Sequence, residues 1–398
     1  MKRIGLILIL TTVTVWQVPG EVFRYRAYEG QQYRVLSEVN QEVLLDDQLV
    51  NSSFQLNKIQ VAVEALDDRG ANFSLEYQNS VQSNHAQGVY EYDRSYSAEF
   101  YRDVLGYMEV PEEYYVPTVQ DVPVFPQRDV QPGETWSAPG REVHDLRSGF
   151  NLDRPFRFTM PVSYRYQGKA ALDGVEYDLI LIDYRIYYPT GLPRIPSTNP
   201  QLVTGSSSQE LYWDNRMGMP VFYREDYELT LVLADGSRAT FRGDAQARVI
   251  QSTPLDRAEA RRSIEDQARE LGLEDVGVRD VEDGISIVME NIQFSADSAR
   301  LAETEALKLE KIARILQSFP DRDILVTGHT ALAGTEAGRL ELSQARARAV
   351  GQFLLDLGAR KQDQMMYQGL GAADPLGDNR TEEGRRMNRR VEITILEN

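Results

Sequence analysis

Few side chains in this sequence can carry covalent chemistry. Cysteine is absent, and the three histidines, His85, His144 and His329, stand far apart. That leaves no thiol nucleophile, no thiolate metal site and no disulfide framework, and little material for a histidine triad or metal centre. Paired carboxylates are too common among 61 Asp and Glu to signal a glycosidase. Gly369-Leu370-Gly371 lacks the third glycine of a dinucleotide loop. No catalytic residue, no metal and no cofactor is expected, so the chain reads as a binding protein rather than an enzyme. The clearest recognition chemistry belongs to Arg346. Ser343 reads as the N-cap of a helix running to Leu357, which puts Arg346 in the first turn. A cation there opposes the helix dipole by about 0.3–1 kcal/mol. A guanidinium fork beside free helix N–H groups would form a carboxylate receptor. The alternative is an arginine paired with Glu341 or another nearby acid. His329 reads as a packing or loop-ordering residue. Of Arg389 and Arg390, one is expected to pack or pair on a sheet, and the cluster with Arg385 and Arg386 to form a solvated face.

The elements that position these residues fall into two regions with different periods. From Glu21 to about Ile250 the pattern is that of strands. Tyr33, Val35, Ser37, Val39, Gln41 and Val43 alternate with polar neighbours, as do Ile59, Val61, Val63 and Ala65. Asp173-Gly174 and Asp235-Gly236 each separate two such runs, as in type I′ hairpins, where both central residues need positive φ. This region is expected to be an antiparallel β-sandwich or barrel. Six of the 17 prolines fall between Pro111 and Pro139. That stretch either divides two β modules or forms one long surface loop. Trp136 and Trp213 could serve a sugar platform, although core and rim packing uses such residues far more often.

After Thr253 the period becomes helical. Helices are expected from Leu255 to Leu271, with Gly272 as its stop, from Ala302 to Ser318 ahead of Pro320, and from Ser343 to Leu357 ahead of Gly358. Strands are expected at Ile285–Met289, Ile324–Val326 and Arg390–Leu396. Strands alternating with helices argue an α/β layer. The division is then 1–20, 21–250, a connecting helix and linker at 251–283, and an α/β domain at 284–398.

Lys2 and Arg3 precede an apolar run from Ile4 to Val18, and small residues follow. This reads as a secretory signal peptide over residues 1–20, too short to span a bilayer comfortably; an uncleaved anchor is the other reading. No later stretch could cross a membrane as a helix. The formal charge is −18, and residues 284–398 hold 15 basic and 17 acidic side chains, so the excess lies ahead of them. So acidic a surface repels nucleic acid and anionic lipid.

Motifs in the last third then agree in order and spacing. Asn291-Ile292-Gln293-Phe294 precedes Ser298-x-x-Leu301; Thr327-Gly328-His329-Thr330 and Gly334 precede Leu342-Ser343-x-x-Arg346-Ala347. Gly369-x-Gly371, Pro375, Asn379-x-Thr381 and Asn388-Arg389-Arg390-Val391-Glu392-Ile393 follow. Together they resemble the OmpA-like C-terminal domain family over roughly residues 284–398. The resemblance implies a mixed βαβαβ sheet covered by helices, binding peptidoglycan non-covalently in the periplasm, at the cell wall or outer membrane. It places the stem-peptide site at Arg346, Thr330, Ala331, Leu342 and Phe294. In that family an Asp after Gly-His-Thr takes the ammonium of diaminopimelate, and an Arg fifteen residues later takes its carboxylate. Here the Arg is Arg346 but the Asp is Ala331, and an Asn usual upstream of Leu-Ser is Arg339. Half of the charge clamp is missing. The alternative is an OmpA-like fold that has given up the wall and docks other envelope proteins.

Overall fold

The computed structural model describes residues 20–83, 88–145, 155–251, 255–273, 276–290, 292 and 301–397. Leading residues 1–19 and the motif residues Asn291, Gln293, Phe294 and Ser298 lie outside that set.

Ten long strands form one antiparallel sheet. They are β1 (Gln32–Leu45), β2 (Gln48–Leu66), β3 (Gly70–Ser83), β4 (Tyr90–Asp103), β7 (Thr135–His144), β8 (Phe156–Leu172), β9 (Val175–Pro189), β10 (Pro200–Asp214), β11 (Met219–Leu233) and β12 (Arg238–Gln251). Each pairs with the next in sequence, except that β4 and β7 do not pair and β12 returns to pair with β1, giving the order 7-8-9-10-11-12-1-2-3-4. Sheet pairing therefore runs continuously through the two halves that flank the proline-rich stretch. β8 shows why these residues are strand: from Phe156 to Ala170 buried and more exposed positions alternate with period two. One face of the sheet curls around an aromatic core of Phe23, Phe125, Tyr164, Tyr166 and Trp213, continued by Phe73, Leu75 and Phe100. Trp213 is fully buried, and Trp136 stacks on Tyr164 at 5.1 Å while its indole N–H donates to Val124 O at 2.8 Å. Both tryptophans pack.

The two edges meet through the proline-rich stretch. Short β5 (Met108–Glu109) pairs with β4, and β6 (Val119–Gln120) pairs with β7. Between them Asp121 accepts from the Met108 N–H at 2.6 Å and from Arg141 Nε of β7 at 2.5 Å. The region is all-β, as expected from its period: one long antiparallel sheet whose two edges are joined through a buried carboxylate. The turns differ from expectation in one place. Asp173 and Gly174 both have positive φ, as a type I′ turn requires, whereas at Asp235-Gly236 only the glycine does. Asp235 instead caps its own turn, accepting from the Ser237 N–H at 2.9 Å. Asp46-Asp47, both with positive φ, supply the other tight hairpin, between β1 and β2.

The C-terminal region opens with α1 (Arg257–Glu270), capped by Asp256 at the Glu259 N–H and stopped at Gly272. Its sheet holds β13 (Val276–Val281), β14 (Gly284–Glu290), β15 (Ile324–Gly328), β16 (Met365–Gly369) and β17 (Arg390–Leu396), in the order 13-14-17-15-16. β15 and β16 are parallel, joined by a helical crossover, and the other pairs are antiparallel. One face is covered by α1, α2 (Glu303–Gln317) and α3 (Glu336–Asp356), burying Ile264, Leu309, Ile312, Leu316, Val350 and Leu354. α4 (Glu382–Asn388) is a short turn before β17.

The other face of this sheet lies against the outer face of the long one. Leu325, Met366 and Leu396 pack with Leu56 and Tyr90. β16 also adds to the end of β4 in parallel, Met366 opposite Tyr90. At the centre of this seam, fully buried Asp323 pairs with Arg34 and Lys58, both from the long sheet, Lys58 Nζ at 2.9 Å. The two cations and their hydrogen bonds hold the Asp323 carboxyl below its usual range against the effect of burial, and burial pushes the Lys58 ammonium down. β17 is consequently buried along its whole length, Ile393 and Ile395 against the helices and Leu396 against the seam.

Candidate functional site

The helix carrying Arg346 starts earlier than its sequence suggests. Its N-cap is Thr335, which accepts from the Gly338 N–H, and α3 begins at Glu336. Arg346 therefore lies three turns in, and the opposition to the helix dipole disappears. Thr335-Glu336 was the missed signal, masked by a glycine in the first turn. Ser343 has a different role. Its hydroxyl bonds Leu340 O at 2.8 Å and accepts the Gly371 N–H at 2.9 Å, so it fixes α3 to the loop after β16. Gly328 and Gly369 allow this approach, since a Cβ on either would collide with the backbone of Ser343 or Gln344.

Arg346 is half-buried, and burial together with nearby Arg389 holds its pKa below the usual arginine value. Arg389 itself reaches Glu382 at 2.8 Å. Thr330 and Ala331 follow β15 and are buried. The Thr330 N–H donates to Gly371 O at 2.8 Å, and the His329 N–H to Arg390 O at 3.0 Å. Asn379 accepts from the Leu332 N–H at 2.9 Å, while Asn388 clamps the loop at Leu376, Gly377 and Asn379. The loops after β15 and β16 are thus held together at the C-terminal ends of two parallel strands, a usual place for ligands on α/β sheets. Asn379, Asn388 and Ser343 are the positioning residues; the sequence marks them only as motif letters. Leu342 is exposed on the first half of α3. Phe294 lies outside the described residues. Thr330 Oγ1 is buried with no hydrogen-bond partner among the described residues.

Beneath the loops Arg390 is fully buried and binds Glu392 at 2.5 Å and Asp374 at 2.7 Å; Arg279 adds a second bond to Glu392 at 2.5 Å. Arg390 is therefore the arginine on the sheet, while Arg385 joins Arg389 at Glu382 on the surface. His329, Asp374 and Glu392 place ligand-type atoms within 4.8 Å of one another. The two arginines already balance both carboxylates, so a divalent cation would meet a neutral cluster rather than an anionic one. Burial first, and then Arg390, push the His329 pKa down to about 4. An unfolded histidine titrates near 6.5, so below that pH the unfolded chain takes up a proton that the folded chain refuses. Stability should fall as pH drops from about 6.5 towards 4, by about 2 kcal/mol from this group at pH 5. Urea unfolding of wild type and His329→Gln at pH 7.5 and 5 checks this: the variant should lose less. Equal losses would mean that His329 is protonated in the folded protein.

The OmpA family model matches residues 293–389. "Probable lipoprotein YiaD" of Escherichia coli K12 is 35% identical over 122 residues, 30% of this chain and 55% of that protein. "Peptidoglycan-binding protein ArfA" of Mycobacterium tuberculosis is 36% identical over 104 residues, 26% of this chain and 32% of that one. The chain thus spans about half or less of these relatives. Among solved structures, an outer membrane protein of Borrelia burgdorferi B31 is 34% identical, covering 30% of this chain and 96% of that one, with a TM-score of 0.26. No helix among the described residues is long and apolar enough to cross a membrane. Residues 293–389 form an OmpA-like domain.

Proposed function

We propose that this is an exported envelope protein whose OmpA-like domain associates non-covalently with peptidoglycan. One observation carries the reading: the loops after β15 and β16 gather beside α3, the helix that bears Arg346, at the position the resemblance assigns to the wall-binding arginine. A relative named as peptidoglycan-binding, 36% identical over 104 residues, supports it. The protein would work in the periplasm, attached to the wall or outer membrane, with Arg346, Thr330, Ala331, Leu342 and Phe294 around the stem peptide. The other reading, a module docking envelope proteins, is favoured by buried Ala331, where the family has an acid.

Sedimentation with purified sacculi tests the proposal. The full chain should pellet with diaminopimelate-containing sacculi, and Arg346→Ala should release most of it. A wild-type protein left in the supernatant at every sacculus concentration would favour the docking module. Mass spectrometry of the same envelope preparation should show a mature start near Glu21; an intact Met1 would overturn the cleaved-signal reading.

A further inference from the structure

We infer that the seam between the two regions binds a small amphipathic anion, one carboxylate or phosphate carried on an apolar body. A cavity of about 550 Å³ lies there, between the outer face of β1, β2 and β12 and the turns that precede β15 and β16. That is the size of a small-molecule site. Its lining carries more positive than negative charge. Buried Arg34 and Lys58 share one carboxylate, Asp323. Lys58 Nζ has three N–H donors, and its single partner among the described residues is Asp323 Oδ2 at 2.9 Å. Arg322 and Lys361 add two cations to the lining, and Asp321 and Asp363 add two acids, so one positive charge is left over. The segment Ser252-Thr253-Pro254, between Gln251 and Leu255, is neutral. A buried cation in excess of its counter-charges is costly, and an oxyanion in the cavity would balance it.

A second cavity, of about 280 Å³, reaches Arg34 and Lys58 from the other side, and there Glu76, Glu282, Asp283 and Glu397 line it. Those acids do not serve Lys58. Burial first, and then neighbouring acids, push the Glu76 and Asp283 carboxyls up, and the cation that acts on Asp283 is Arg257. Four carboxylates also repel an anion, so the larger cavity is the one that takes it. Burial pushes the Lys58 ammonium down, and an oxyanion beside it opposes that effect. The rest of the larger cavity sets the body of the ligand. Leu36, Ile250, Leu255, Phe319 and Pro320 present apolar surface to it. A bare inorganic anion would leave that surface wet, whereas a hydrocarbon chain covers it.

The probes are octanoate and octyl phosphate, two head groups on one body, with inorganic phosphate and octanol as the separate halves. Titration calorimetry with the full chain should show one saturable site for at least one of the octyl anions. Its affinity should be at least tenfold above that for inorganic phosphate or octanol, and the tighter octyl anion identifies the head group. Lys58→Met, which removes the unbalanced cation, should weaken that binding at least tenfold. Lys361→Glu reverses the charge at an exposed position, where folding is not at stake, and should weaken it several-fold. No saturable binding of either octyl anion would overturn the inference. So would octanol binding as tightly as the anions, or anion binding indifferent to both substitutions.

Discussion

Asp323→Asn should destabilise the folded chain by about 3–5 kcal/mol, because it leaves Arg34 and Lys58 buried without their shared carboxylate. Few single substitutions reach that size. The asparagine keeps the shape and can still accept hydrogen bonds, so the loss isolates charge. The set is almost fully dehydrated: side-chain exposure is 7% for Arg34, 3% for Lys58 and 2% for Asp323. Burying the ions was itself costly, and the intact set is therefore weak evidence of net stabilisation; removing one member is the strong perturbation. Adding Lys58→Met to Asp323→Asn should recover part of the loss, since one orphaned cation goes and an apolar chain remains. Urea unfolding of the single and double variants measures both effects. A single-variant change below 1 kcal/mol would mean that water reaches the seam and the two regions are only loosely apposed.

The seam is also where sequence reading ran out. Period two in Tyr33–Val43 or Ile59–Ala65 shows which side chains share a face, but Lys58 and Arg34 occupy outward positions where charged residues are ordinary. Nothing local distinguishes a lysine facing water from one facing a second sheet. β16 was missed for a related reason: Met365-Met366-Tyr367 is short, and it is stranded by pairing with β15 and β4 rather than by its own pattern. The α/β helices were legible because each carries its stops in sequence, as with Gly272, Gly358 and Pro320. α3 failed at its start, where Ser343 looked like a cap and Thr335 was the cap. At the candidate site, motif spacing located the loops, and geometry then supplied what spacing could not. Ser343 ties α3 to Gly371, Asn388 clamps the opposing loop, and Ala331 faces inward rather than toward solvent.

Ala331→Asp should tighten binding to diaminopimelate-containing sacculi about ten- to a hundred-fold. A charge-assisted hydrogen bond contributes roughly 1.5–3 kcal/mol, and each 1.4 kcal/mol is a factor of ten. The new carboxylate would stand on the loop pinned by Thr330 to Gly371 and by Leu332 to Asn379, so little of the gain is lost to ordering. Because Ala331 is only 6% exposed, the added charge must find a partner. In the bound state the ligand ammonium provides one; in the free state it would turn toward the cationic side of the site. The Ala331→Asp protein is therefore expected to be slightly less stable alone, and its affinity gain should fall as salt rises. Adding Arg346→Ala should abolish the gain, because the carboxylate that orients the ligand then has no anchor. Sedimentation of wild type, Ala331→Asp and the double variant with the same sacculi decides between the readings, with circular dichroism confirming that all three are folded. Strong wild-type binding unchanged by both substitutions would place the wall-binding surface elsewhere on the protein. A gain that survives Arg346→Ala would show that the new aspartate binds the wall by itself and that the two positions do not act as a clamp.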